Sequence, residues 1–126
     1  MSTSHVDISK EIWDNKYRYK MEDGTPIDQS IEDTWRRVAY AVAMPERDHR
    51  YWEDKFFSIL TDFKFLPAGR IVSNAGTSRK KVTMFNCYVM NSIDDSMEGI
   101  FDAVREAALT QKQGGGVGFD FSTIRP

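Results

Sequence analysis

The sequence is short of the groups from which most chemical sites are built. It holds one cysteine, Cys87, and two histidines. A single thiol excludes an intramolecular disulfide framework, and one thiol with two imidazoles is a poor inventory for a closed zinc site, so no structural metal is expected. Positive charge is not in excess: 17 Lys and Arg stand against 19 Asp and Glu, a formal net charge of −2. Polymeric DNA or RNA would find no positive field to hold its backbone and is not an expected partner. No apolar run approaches the roughly 20 residues that span a bilayer. The start, Met1 to Lys10, lacks the apolar centre of a secretory signal. No membrane association is expected, and the cytoplasm is the default location.

What is present is material for packing. In 126 residues, 40% are hydrophobic and 13% aromatic, including three Trp and eight Phe. That is too apolar for a disordered tail and enough for one core. Beyond a polar start, Met1 to Asp7, Ser9 is placed to cap a short helix carrying Ile12, Trp13 and Tyr17. Turn formers at Glu22-Asp23-Gly24-Thr25-Pro26 stop it. Asp28 or Ser30 opens a second helix, whose Ile31, Trp35, Val38 and Val42 form one stripe ending before Pro45. A third, from about Asp48 to Asp62, sets Trp52, Phe56, Ile59, Leu60 and Phe63 on one face and should pack on the second.

Downstream the character changes. Residues 67–77 are small and turn-forming around Ile71 and Val72 and read as loop. Val82 to Met90 reads as a buried strand containing Cys87. Asp95 with Glu98 has capping-box spacing for a fourth helix, its inner face Met97, Ile100 or Phe101, Val104 and Ala108, ending at Gly114. Val117 to Phe121 reads as a second strand. The expected fold class is mixed α/β: a helical half, 1–66, then a strand, helix, strand unit in 67–126 that is free to be parallel. Such a unit leaves two sheet edges open.

Several residues carry both a bland and a chemical reading. Gly114-Gly115-Gly116-Val117-Gly118 follows a helix and precedes a strand, the reverse of a phosphate loop, which needs a helix N-terminus after the glycines. It is a C-cap with closely packed backbone, or a place where a ligand meets bare backbone. Cys87 alone is a small buried hydrophobe or a reactive thiol. Asp94, Asp95 and Ser96 are ordinary cap residues. Arg79-Lys80-Lys81 reads as a solvated turn, whereas Arg70 and Arg125 border small residues where a guanidinium can grip a phosphate bidentately.

Taken together, Pro67-Ala68-Gly69-Arg70, Asn74-Ala75-Gly76-Thr77, Phe85-Asn86-Cys87, Asp94-Asp95-Ser96-Met97-Glu98-Gly99-Ile100 and residues 114–126 stand in the order and spacing of the ribonucleotide reductase large-subunit family. Glu11-Ile12-Trp13, Lys16-Tyr17-Arg18 and 32–39 resemble its adenosylcobalamin-dependent class. The resemblance runs from about Ser9 to Pro126 and implies the opening of a ten-stranded α/β barrel. It implies that Cys87 is one of a redox pair, that Ala68, Gly69, Arg70, Asn86, Gly115 and Gly116 contact the substrate ribonucleotide, and that Asp95, Ser96 and Arg125 contact a deoxynucleoside triphosphate effector. It further implies adenosylcobalamin, held mainly by the remaining portion of the reductase chain, and a thioredoxin-like reductant for the complete enzyme. The family chemistry needs three cysteines and this chain has one, so it is expected to be inactive alone. Two alternatives stand beside this reading: a non-catalytic remnant that binds nucleotide or a protein partner, and a chain that continues past Pro126.

Overall fold

A computed structural model describes residues 7–126, arranged as two compact units, one running to Arg79 and one spanning Lys80–Pro126. Of the polar start, Met1 to Val6 lies outside the described residues. Among the described residues no helix is long and apolar enough to cross a membrane.

The first unit is helical. Helix α1, Ile8–Ile12, is capped by Asp7 and not by Ser9: the Asp7 carboxylate accepts the Ser9 amide at 3.1 Å. Ser9 already lies inside the first turn, where its amide is one of the orphan donors and its hydroxyl is misplaced to serve as the cap. The chain then widens into a π-helical stretch, Trp13–Tyr17, closed by Arg18 N–H on the Trp13 carbonyl at 2.9 Å. The expected turn comes next, with Gly24 at φ 87° and the Met21 amide on the Thr25 carbonyl at 2.8 Å.

Helix α2, Ile31–Ala43, opens with a full capping box between Ser30 and Asp33. Its buried stripe is Thr34, Trp35, Val38, Ala39 and Ala43; Val42, placed on that stripe from spacing, faces outward instead. Helix α3, His49–Leu60, is capped by Asp48 and packs on α2 as expected. Leu60 is buried and Phe56 lines the core, while Trp52 and Ile59 stay on the outer side. Phe63, in the 3₁₀ turn Thr61–Phe63, meets Trp35 edge-on at 5.4 Å.

Residues 67–77 are not the loop their composition suggested. Gly69–Asn74 form a helix, α4, with Val72, Ser73 and Asn74 buried, and it packs against α2 and the π-helical stretch. Local propensity is overridden by burial of Val72 and Ala75 in the core and by an outside partner for the α4 carbonyls.

That partner is Arg37. Its Nη2 donates to Asp28 Oδ2 at 2.9 Å and to the Val72 carbonyl at 3.2 Å, and Nη1 donates to the Ala75 carbonyl. Asp28, 3% exposed, also accepts the Thr34 hydroxyl at 2.7 Å and the Tyr19 amide at 3.1 Å. Thr34 in turn accepts the Trp13 indole N–H at 3.0 Å. Beside this network Gly76 takes φ 70°, and a Cβ there would fall 2.8 Å from the Arg37 carbonyl and its Cγ.

The second unit is a strand, helix, strand arrangement. Strands β1, Cys87–Val89, and β2, Gly116–Gly118, pair in parallel, joined through helix α5, Met97–Lys112. Both strands are shorter than expected, and β1 is exposed along its length, not buried. Residues 82–86 leave the extended track because Lys81 turns at φ 58° and the Thr83 hydroxyl takes the Phe85 amide at 3.0 Å, a local bond that competes with a ladder. Asp120, bonding the Ser122 amide at 2.9 Å, ends the second strand early in the same way. The inner face of α5 is Ile100, Ala103, Ala107 and Thr110, whereas Met97, Phe101, Val104 and Ala108 face outward.

Burial alone would raise the Asp28 pKa, but hydrogen bonds from Arg37, Thr34 and the Tyr19 amide outweigh it and hold the carboxyl below its ordinary range. The folded value is depressed, so this stabilisation is complete above the ordinary carboxylate pKa near about 3.9 and is lost as pH falls through the folded value. Asp28→Asn is expected to cost about 3–5 kcal/mol, because it strands a buried guanidinium, and to flatten the acid limb of stability below about pH 4. Denaturant unfolding of both chains from pH 2 to 7 measures the two effects together.

Candidate functional site

The one thiol lies at the start of β1 and is exposed. Cys87 pairs with Gly116 across the parallel ladder, and the Gly116 amide donates to the Asn86 carbonyl at 2.6 Å. A Cβ on Gly116 would stand 3.3 Å from Cys87 Sγ and 3.2 Å from the Asn86 carbonyl oxygen. Glycine there keeps the sulfur uncovered on its partner-strand side. The reading of Cys87 as a buried small hydrophobe therefore fails, because it depends on a buried strand that the structure does not contain.

Gly115 is bare for a different reason. It is buried, and a Cβ would meet the Tyr88 ring at 2.5 and 2.6 Å and Thr110 Cγ2 at 2.9 Å. Here the close-packing reading holds, with Tyr88 as the residue that demands it. Gly114, at φ 89°, supplies the left-handed turn that ends α5. Thus Asn86, Cys87, Gly115 and Gly116 converge within the second unit. Ala68, Gly69 and Arg70 belong to the first, at the amino end of α4, with Ala68 and Arg70 exposed and Gly69 half-buried against Tyr17.

The third group gathers at the start of α5. Ser96, not Asp95, caps the helix, accepting the Gly99 amide at 3.0 Å, so no Asp95 and Glu98 capping box forms. Asp95 instead pairs with Arg125, Oδ2 to Nε at 3.3 Å, across the amino-terminal turn. Thr123 ties the same tail down by donating its hydroxyl to the Ile93 carbonyl at 2.6 Å. The hollow beside this turn, lined by Met90, Asn91, Ser92, Asp94, Gly99 and Asp102, is acidic, with Arg105 paired to Asp102 at 3.2 Å. Arg125 is 78% exposed, free to exchange its carboxylate for another anion.

Gly99 was missed by sequence reasoning. A Cβ there would lie 2.7 Å from the Asp94 carbonyl oxygen. The signal was available: glycine in the first turn of a helix costs about 1 kcal/mol against alanine and calls for a packing reason.

Ser96→Ala is expected to cost about 1 kcal/mol of stability through the lost cap. Asp95→Ala, which breaks only an exposed pair, should stay within about 0.5 kcal/mol. Thermal melts of the two variants side by side decide which residue holds the helix start.

Residues 5–80 match the family model described as ribonucleotide reductase, all-alpha domain, and residues 85–126 match that described as ribonucleotide reductase, barrel domain. Along its whole length the chain is 33% identical to a vitamin B12-dependent ribonucleoside-diphosphate reductase of Mycobacterium tuberculosis, covering 18% of that protein. It is 32% identical over 92% of its length to the ribonucleoside-diphosphate reductase subunit alpha of Helicobacter pylori, 14% of which is covered. A 69-residue stretch, 55% of the chain, is 42% identical to the ribonucleoside-diphosphate reductase large subunit of vaccinia virus, 9% of which is covered. The chain spans 8% to 18% of the length of these and similar relatives.

Proposed function

Because the chain belongs to the ribonucleotide reductase large-subunit family, we propose that it supplies one redox thiol and the substrate and effector loops of an enzyme that converts ribonucleotides to deoxyribonucleotides for DNA synthesis. The observation that carries this reading is the exposed Cys87 thiol on β1, set beside bare backbone at Gly116 on β2. The rest of the reductase provides what this chain lacks.

The chemistry assigned to Cys87 is a two-electron reduction. The ribose 2′-hydroxyl leaves as water and C2′ gains a hydrogen, while the Cys87 thiol and a second thiol in the rest of the reductase lose two electrons and two protons and join as a disulfide. A thioredoxin-like dithiol then reduces that disulfide by exchange. The Gly116 amide and the Asn86 carbonyl are already bonded to each other, so the ribose contact is assigned to the Asn86 side-chain amide and to the bare Cα face of Gly116. Ala68-Gly69-Arg70 adds backbone amides at the start of α4 and one guanidinium suited to the substrate phosphates.

Asp95, Ser96 and Arg125 are assigned to a deoxynucleoside triphosphate effector. The cap and effector roles coexist for Ser96, since its oxygen accepts one amide and its hydroxyl proton stays available as a donor. Adenosylcobalamin is proposed as cofactor because the mycobacterial relative matched along the full chain is vitamin B12-dependent. It is assigned mainly to the remaining portion of the reductase chain.

In the complete reductase that contains this chain, Arg125→Ala is expected to weaken effector affinity, by roughly 1.5–3 kcal/mol where the bound effector desolvates the guanidinium, while basal turnover changes little. Substrate preference measured across the effectors tests it, and an unchanged preference removes Arg125 from the site.

Cys87→Ser separates packing from redox chemistry. It nearly preserves volume at an exposed position, so folding and nucleotide binding should survive, whereas multiple-turnover reduction should collapse because serine forms no disulfide. Non-reducing mass analysis after one turnover is expected to find Cys87 bridged to the rest of the reductase. Full turnover by the serine variant would sink the assignment.

A further inference from the structure

We propose that Tyr17 is a positioning residue for the loop Ala68-Gly69-Arg70, its phenol packed so closely on residue 69 that a side chain there would push it aside by a few tenths of an ångström. This rests on the substrate role proposed for that loop. A Cβ on Gly69 would stand 3.3 Å from Tyr17 Oη and 3.4 Å from Cε1, so the phenol lies against the bare backbone at the first residue of α4.

The backbone of Tyr17 is held as well. Arg37 Nη2 reaches the Tyr17 carbonyl at 3.4 Å and the Val72 carbonyl at 3.2 Å, tying the end of the π-helical stretch to α4. One residue thus meets α4 at two places: its ring at the amino end, and its carbonyl, through Arg37, further along. The π winding has a consequence here. Tyr17 is the last residue of that stretch, and its wider winding changes the direction in which its residues point relative to an α-helix, so the aim of the Tyr17 ring depends on this irregular segment. Such segments recur at functional sites because they re-aim side chains. Tyr17 and Gly69 also border an apolar hollow of about 300 Å³ shared with Trp13, Trp35 and Phe63. With open space alongside, no neighbour is packed to replace the ring if it is removed.

The test uses the complete reductase containing this chain, with steady-state kinetics and thermal melts on every variant. Tyr17→Ala is expected to raise KM for the ribonucleotide about tenfold with kcat within about twofold, the signature of lost substrate placement. Tyr17→Phe, which keeps the ring, should behave as wild type. Gly69→Ala should raise KM by itself, and the double variant should be less impaired than the product of the two single effects, because the new methyl enters the vacated space. Should Tyr17→Ala fail to fold, Tyr17→Leu carries the same comparison. Fully multiplicative effects, or a Tyr17 variant that loses stability without moving KM, overturn the inference. A wild-type reductase that does not reduce ribonucleotides removes the loop's substrate role itself, a failure visible before any variant is made.

Discussion

The first unit is organised around one buried ion pair. Arg37 and Asp28 have side chains 9% and 4% exposed, and each has to be satisfied fully or the pair would destabilise the core it sits in. The requirement spreads outward. Asp28 recruits the Thr34 hydroxyl and the Tyr19 amide; Thr34 recruits the Trp13 indole; Arg37 recruits the carbonyls of Tyr17, Val72 and Ala75. Through these bonds α1's continuation, α2 and α4 are placed relative to one another by directed contacts. Apolar burial alone is non-directional and would leave α4, six residues long, without a defined angle.

How much of this was legible in the sequence depended on how local the cause was. Helices α2 and α3 announce themselves through periodicity and through Ser30, Asp33 and Asp48, whose capping chemistry acts within one turn. The strand, helix, strand order was legible too, whereas its parallel pairing was left open, since Cys87 and Gly116 lie far apart in the chain. Helix α4 was not legible, because its carbonyls are satisfied by Arg37, more than thirty residues earlier in the chain, and nothing in Gly69-Arg70-Ile71-Val72 reports that partner. The strands were overextended because Thr83 and Asp120 divert the backbone with side-chain bonds that a β-propensity count cannot see.

The site divides along the same line. That Asn86, Cys87 and the glycines belong together was visible only in the family pattern of spacings; residue types alone left Cys87 a packing cysteine. The structure replaces that with an exposed thiol and separates two glycines that look alike in sequence, one pressed by Tyr88 and one facing the sulfur. Ser96 took the capping role that spacing had suggested for Asp95. Adjacent residues with interchangeable capping chemistry cannot be ranked until the helix start is known, and here it falls one residue later than the Asp95 and Glu98 pattern implies.

The parallel register between Cys87 and Gly116 limits how this part of the protein can change through insertion and deletion. A slip of one step would bring Val117 opposite the cysteine, and its isopropyl group would shade the sulfur that glycine leaves bare. The connection between the two strands includes a helix, in which each inserted residue also turns everything beyond it by about 100°. Length variation between Cys87 and Gly116 is therefore quantised: only changes absorbed wholly in the loops flanking α5, or made in near-whole helical turns, keep both the pairing and the facing. The interval between a thiol and a glycine acts as a ruler, and a drift in that interval would cover the sulfur before any residue beside it had been replaced.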